Sequence, residues 1–166
     1  MKYKIAVFSG LILCLYLWLV YDRRSVIVGL LPQQIEVSKI VSTHIVSGIR
    51  ESCGATVYLL SDGAIANIKE KQLRFFKGLT KAKNFESDPK NPYYSYEEWQ
   101  ETPIKKKPGN RGFYSGMSCA VDSGLDEKLS EQIYNAIEKK GSYYTGHYEG
   151  QLVVIPALRI AIFAHS

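Results

Sequence analysis

The chain has 166 residues, 46% of them hydrophobic, with a formal charge of +5 and a pI near 9.0. That size suits one ordinary domain able to bury a real core. The charge is dispersed apart from Lys105-Lys106-Lys107, which stands between Pro103 and Pro108 without the interleaved aromatics of a nucleic-acid patch; nucleic acid is therefore excluded as a partner, and the triplet reads as a solvated loop.

Residues 5–21 form an uncharged apolar block between Lys2/Lys4 and Asp22-Arg23-Arg24. As a helix, the block and its flanks reach across a hydrocarbon core of roughly 30 Å. A cleaved secretory signal would need a small-x-small site, which is absent before Tyr21, and Tyr16, Trp18 and Tyr21 suit interfacial anchors. Residues 5–24 thus read as an uncleaved transmembrane signal anchor after a short tail, 1–4. Cys14 follows Leu13, where a lipoprotein signal needs a small residue, so it reads as a membrane-buried thiol. Ser9 and Gly10 would let such helices pack closely, favouring a homo-oligomer in the bilayer. The tail is only four residues long, which points to a bacterial inner-membrane protein with a cytoplasmic N-terminus, one span and a periplasmic domain. Cys53 and Cys119 can then pair as a disulfide or stay as free core thiols.

Ser25 to Leu31 continues the anchor in a juxtamembrane segment, 25–32. Pro32 punctuates a helix in which Val37, Ile40, Val41, His44, Ile45, Gly48 and Ile49 recur at three- and four-residue steps, ending near Cys53-Gly54, with His44 as a core histidine. Ala55 to Leu60 reads as a strand, Ser61-Asp62-Gly63 as a tight turn and Ala64 to Ile68 as the returning strand. Leu73 to Leu79 fits a strand or a short helix, with Phe75 or Phe76 in the core. Residues 83–112 carry four prolines and read as a long excursion packed by Tyr93, Tyr94, Tyr96 and Trp99, with a short helix over Tyr94 to Glu101. Phe113 to Val121 reads as a strand. The clearest helix follows, opened by Ser123 and Asp126, lined by Leu125, Leu129, Ile133, Ala136 and Ile137, and closed by Lys139-Lys140-Gly141. Tyr143 to Tyr148 and Leu152 to Phe163 complete the strands. The expected architecture of residues 33–166 is α+β, a mainly antiparallel sheet of about five strands with two principal packed helices, following the transmembrane helix.

No nucleophile elbow, phosphate-binding loop, dinucleotide fingerprint or zinc spacing occurs, so no catalytic residue, cofactor or metal is assigned. Gly112-Phe-Tyr-Ser115-Gly116 has the wrong spacing for an elbow, and His44, His147 and His165 lack clustered ligands. The most site-like group is Tyr143, Tyr144, His147, Tyr148 and Glu149, with His147 able to titrate near neutrality. Together with Tyr93, Tyr94, Tyr96 and Trp99 it makes a candidate binding surface.

The stretches Cys53-Gly-Ala-Thr-Val-Tyr-Leu-Leu60 and Gly141-Ser-Tyr-Tyr-Thr145, on this layout of short tail, span, helix and α+β domain, resemble the T-even phage type of single-span holin. The cytoplasmic tail is shorter than in that family and the helix over Leu125 to Lys140 has no clear counterpart, so no functional residue is transferred. The resemblance implies a protein that assembles in the bacterial inner membrane, opens it at a set time for lysis, and receives a periplasmic protein regulator. The competing expectation is a membrane-tethered ligand-binding or protein-interaction module without enzymatic activity, its pocket lined by Tyr58, Phe75, Tyr114 and Tyr144.

Overall fold

The structure is a computed structural model that describes residues 2–48, 51–104 and 112–166; in the leading helix it describes the side chains of 12–19, 22 and 24–29. It comprises α1 (Lys2–Gly29), β1 (Val37–Ser47), β2 (Ser52–Leu60), α2 (Asp62–Lys71), β3 (Gln100–Glu101), α3 (Gly112–Asp122), α4 (Glu127–Ile137), β4 (Tyr143–His147), β5 (Gly150–Ile155) and β6 (Ile160–His165), with short 3-10 turns between α2 and β3. The strands make one six-stranded sheet in the order β1-β2-β6-β5-β4-β3, and every neighbouring pair is antiparallel.

The reading of residues 5–24 as a single-pass inner-membrane anchor is overturned: among the described residues, no helix is long and apolar enough to cross a membrane. The described apolar run on α1, Ile12 to Leu19, spans about 12 Å at 1.5 Å per residue, against the roughly 30 Å of a hydrocarbon core. Beyond it come Asp22 and Arg24, both exposed. The cytoplasmic N-terminus and periplasmic domain depended on that span and fall with it. Trp18 and Cys14 are exposed, while Ser9, Gly10 and Tyr21 lie outside the described side chains.

Four elements change type. The expected helix after Pro32 is β1: six of its eleven residues are Val, Ile or Thr, and it pairs along its length with β2. Residues 64–68 belong to α2, because the Ser61 hydroxyl accepts from the Ala64 N–H at 3.1 Å and so caps a helix instead of closing a hairpin. Phe113 to Val121 lies in α3. The expected helix over Tyr94 to Glu101 is a 3-10 turn at Pro92–Tyr94 followed by β3. The clearest expected helix is α4, with Asp126 alone as its cap, its carboxylate accepting from the Leu129 N–H at 2.8 Å. Lys105 to Lys107 lie outside the described residues.

Both faces of the sheet are covered. On one, Ala55, Val57, Val153, Ile155, Ile162 and Ala164 meet Phe113, Met117 and Ala120 of α3 and Ile133 and Ile137 of α4. On the other, Tyr58, Leu60, Leu152, Val154, Ala161 and Phe163 meet α2, the 3-10 turn Gln72–Phe76, Leu31, Ile35 and the aromatic excursion. Strands buried on both faces lose the polar alternation of a half-exposed sheet, as the wholly buried β5 does.

α3 approaches the sheet closely because Gly112 and Gly116, four residues apart on one helix face, meet the backbone of the strands. A β-carbon at Gly112 would sit 2.8 Å from Gly150 Cα, and one at Gly116 would sit 2.6 Å from the backbone N and O of His165. A disulfide between Cys53 of β2 and Cys119 of α3, with Cα atoms 5.9 Å apart, ties the same seam covalently.

Candidate functional site

The aromatic excursion lies along the face of the sheet opposite α3 and bounds two concavities. Its end is fixed by Thr102, whose hydroxyl accepts from the Ser142 N–H at 3.2 Å and contacts the Lys139 and Ser142 carbonyls. Along its length the Trp99 indole donates to the Leu79 carbonyl at 2.8 Å, and the Thr145 hydroxyl donates to the Glu97 carbonyl at 2.6 Å.

The larger concavity, about 380 Å³, opens between the 3-10 turn and Trp99. Its floor is aromatic: Phe76 stacks on Trp99 at 4.4 Å and lies 4.7 Å from Tyr143, with Phe75 edge-on at 5.0 Å. Leu73 lines its wall and is 41% exposed. Arg74, Lys77 and Glu98 also line it. Neither cation has an ion-pair partner among the described residues, where the one salt bridge joins Arg159 to Asp62.

The smaller concavity, about 170 Å³, lies where β2 begins and β6 ends, among Ser52, Tyr93, His147, Glu149, Phe163 and His165. His147 Nε2 is 2.8 Å from the Tyr93 carbonyl, which can only accept, so the ring carries its proton there; Nδ1 accepts from the Glu149 N–H at 3.5 Å. The Tyr93 hydroxyl donates to the Glu149 carboxylate at 2.7 Å. Tyr96 and Phe163 flank the imidazole at 5.1 and 4.9 Å. His165 Nε2 is 3.4 Å from the Ser52 hydroxyl, and its Nδ1 is buried with no hydrogen-bond partner among the described residues.

A serine beside an imidazole pairs a hydroxyl with a potential base, an arrangement that in nucleophilic sites is commonly completed by a third group orienting the base. His165 Nδ1, where such a group would bind, meets none among the described residues. No group of three His, Cys, Asp or Glu that could hold a metal occurs among them either.

Burial pushes both imidazoles below the ordinary 6.5. The Glu149 carboxylate opposes this at both rings, and the Tyr93 carbonyl opposes it at His147. A neutral histidine whose folded pKa is depressed contributes stability that is complete above about pH 6.5 and is lost as pH falls through the folded values, because the unfolded chain binds the proton more readily. Thermal melts should therefore show a midpoint that falls as the pH drops below about 6.5, and His147→Gln with His165→Gln should flatten that slope.

The candidate binding surface read from the sequence divides. Tyr93 and Tyr96 converge on His147, whereas Trp99 and Tyr143 join Phe76 under the larger cleft, and Tyr94 packs half-buried on the same core. Tyr144 faces the opposite side of the sheet, where its hydroxyl donates to Gln100 Oε1 at 3.0 Å. Tyr58 and Phe75 likewise lie on the face opposite Tyr114 and Tyr144, so those four do not line one pocket. Arg74 and Lys77 escaped the sequence reading; their one signal was the cationic, aromatic composition of Leu73 to Leu79. No protein family, curated protein or solved structure matches the chain.

Proposed function

We propose that the chain is a non-enzymatic binding module whose larger cleft takes a small amphipathic anion. The reading rests on one observation: two cations without ion-pair partners among the described residues line a concavity floored by Phe76 and Trp99. Its volume falls in the range of small-molecule sites, which combine an apolar body with a few polar groups that fix orientation. The apolar part of the ligand would lie on Trp99 and Leu73, and its anionic end would meet Arg74 and Lys77. Glu98, which also lines the cleft, disfavours a second negative charge on the ligand. A lysis role depends on a membrane-spanning segment, which the described residues do not supply; binding does not.

Trp99 provides the readout, since Trp18 is the other tryptophan and can be replaced by Phe. In a Trp18→Phe background, octanoate should change Trp99 fluorescence saturably and 1-octanol much more weakly. Arg74→Ala with Lys77→Ala should weaken octanoate binding about tenfold, the size expected for loss of two partly exposed charge-assisted contacts. Equal binding of acid and alcohol, or no saturable response to octanoate, would refute the assignment.

A further inference from the structure

The larger cleft is lined by charges of both signs, Arg74 and Lys77 on one segment and Glu98 on another. All three side chains are exposed, yet none pairs with another: the one salt bridge among the described residues joins Arg159 to Asp62. Nor does the Glu98 carboxylate take part in any hydrogen bond among those residues. Two cations and one carboxylate thus share a concavity of about 380 Å³ while standing more than 4 Å from each other's charged atoms.

Each simple ligand satisfies only part of this set. A fatty carboxylate answers Arg74 and Lys77 but leaves Glu98 facing a like charge. An alkylamine answers Glu98 and meets two like charges. A dicarboxylate sets a second negative charge against Glu98. One molecule that carries both a carboxylate and an ammonium answers all three.

The rest of the lining decides where those two charges sit. Trp99 commits its one side-chain donor to the Leu79 carbonyl at 2.8 Å, so it offers a ligand ring surface alone. Leu73 adds exposed apolar surface beside it. A charge laid on either would lose water without gaining a partner. Both charges therefore belong at one end of the ligand, and an apolar chain at the other.

We infer that the cleft takes a free α-amino acid with a large apolar side chain, its carboxylate on Arg74 and Lys77 and its ammonium on Glu98. The inference rests on the reading of this cleft as a site for an amphipathic anion and adds the second charge to it. Glu98 becomes the residue that separates amino acids from fatty acids.

Ligands that differ by one group test this. In the Trp18→Phe background at pH 7, L-2-aminooctanoate should bind about fivefold more tightly than octanoate by Trp99 fluorescence, the upper size of one exposed charge pair. Its N-acetyl derivative, which has no cation, should lose that advantage. The isomer 8-aminooctanoate, with its ammonium at the apolar end, should bind more weakly than octanoate. Glu98→Gln should bring 2-aminooctanoate and octanoate within twofold of each other; circular dichroism shows whether this variant is folded, and its retained binding of octanoate shows that the cleft is intact. Saturable octanoate binding with no gain from the α-ammonium, a gain that survives Glu98→Gln, or tightest binding of 8-aminooctanoate would overturn the amino-acid assignment while leaving the anion site standing. No saturable response to either octanoate or 2-aminooctanoate would overturn both.

Discussion

Replacing Cys53 with serine is expected to lower the unfolding free energy by about 4 kcal/mol and the melting temperature by about 10 °C. The bond closes a loop between residues 66 apart in sequence, and freeing that loop gives the unfolded chain conformations that the cross-link forbids. The loop contains α2, the whole aromatic excursion and most of α3, so the loss reaches well beyond the two sulfurs. Reductant added to the unaltered chain should reproduce the shift, and Cys53→Ser should then show no further response to it. Melting curves that coincide with and without reductant would show that the bond contributes nothing.

Gly116→Val should cost about 3 kcal/mol, at the upper end of overpacking effects. A β-carbon there meets backbone atoms, His165 N and O at 2.6 Å and Gly54 O at 2.8 Å, which cannot swing aside as a flexible side chain would. α3 must lift from the sheet or the end of β6 must move. Either movement disturbs Phe113, Met117 and Ala120, all at most 1% exposed in the core on that face. Gly124→Val is the control: its added carbon meets nothing within 4 Å, and its positive φ confines the cost to backbone strain. Chemical denaturation of the two variants should separate these effects, with Gly116→Val the less stable.

The sequence carried the elements unequally, and the reasons are local. α4 announced itself because its apolar residues recur on one face and Asp126 caps it, with no competing signal. β1 disguised itself. Its two register shifts each insert a residue, so Val37, Ile40, Val41, Ile45 and Val46 fall at spacings that mimic a helical face instead of alternating. α3 misled in the opposite direction: Gly112, Phe113, Tyr114 and Gly116 are poor helix formers, and only contact with Gly150 and Gly54 explains why glycine is needed at that spacing. Ser61-Asp62-Gly63 serves a hairpin or a helix start equally well on local grounds, and the packing of Ala64, Ile65 and Ile68 decides for the helix.

The candidate site was legible only as composition. Tyrosines after residue 92 and around residue 144 pointed to contact surface, yet strand alternation sends Tyr143 and Tyr144 to opposite faces, which no count of aromatics reveals. The larger cleft draws Leu73, Arg74 and Lys77 from one segment and Glu98 and Trp99 from another some twenty residues on, a pairing set by tertiary packing.

The base of α1 is gripped at three points. The Tyr58 hydroxyl donates to the Ile27 carbonyl, the Tyr96 hydroxyl to the Leu30 carbonyl at 2.5 Å, and Arg24 reaches Ser38. Tyr58 is buried in the core of the sheet and Tyr96 lies against His147, so the leading helix is tied both to the sheet and to the imidazole corner. A rod of 28 residues, about 42 Å long, turns a tilt of about 5° at that clamp into a sweep of about 4 Å at its tip.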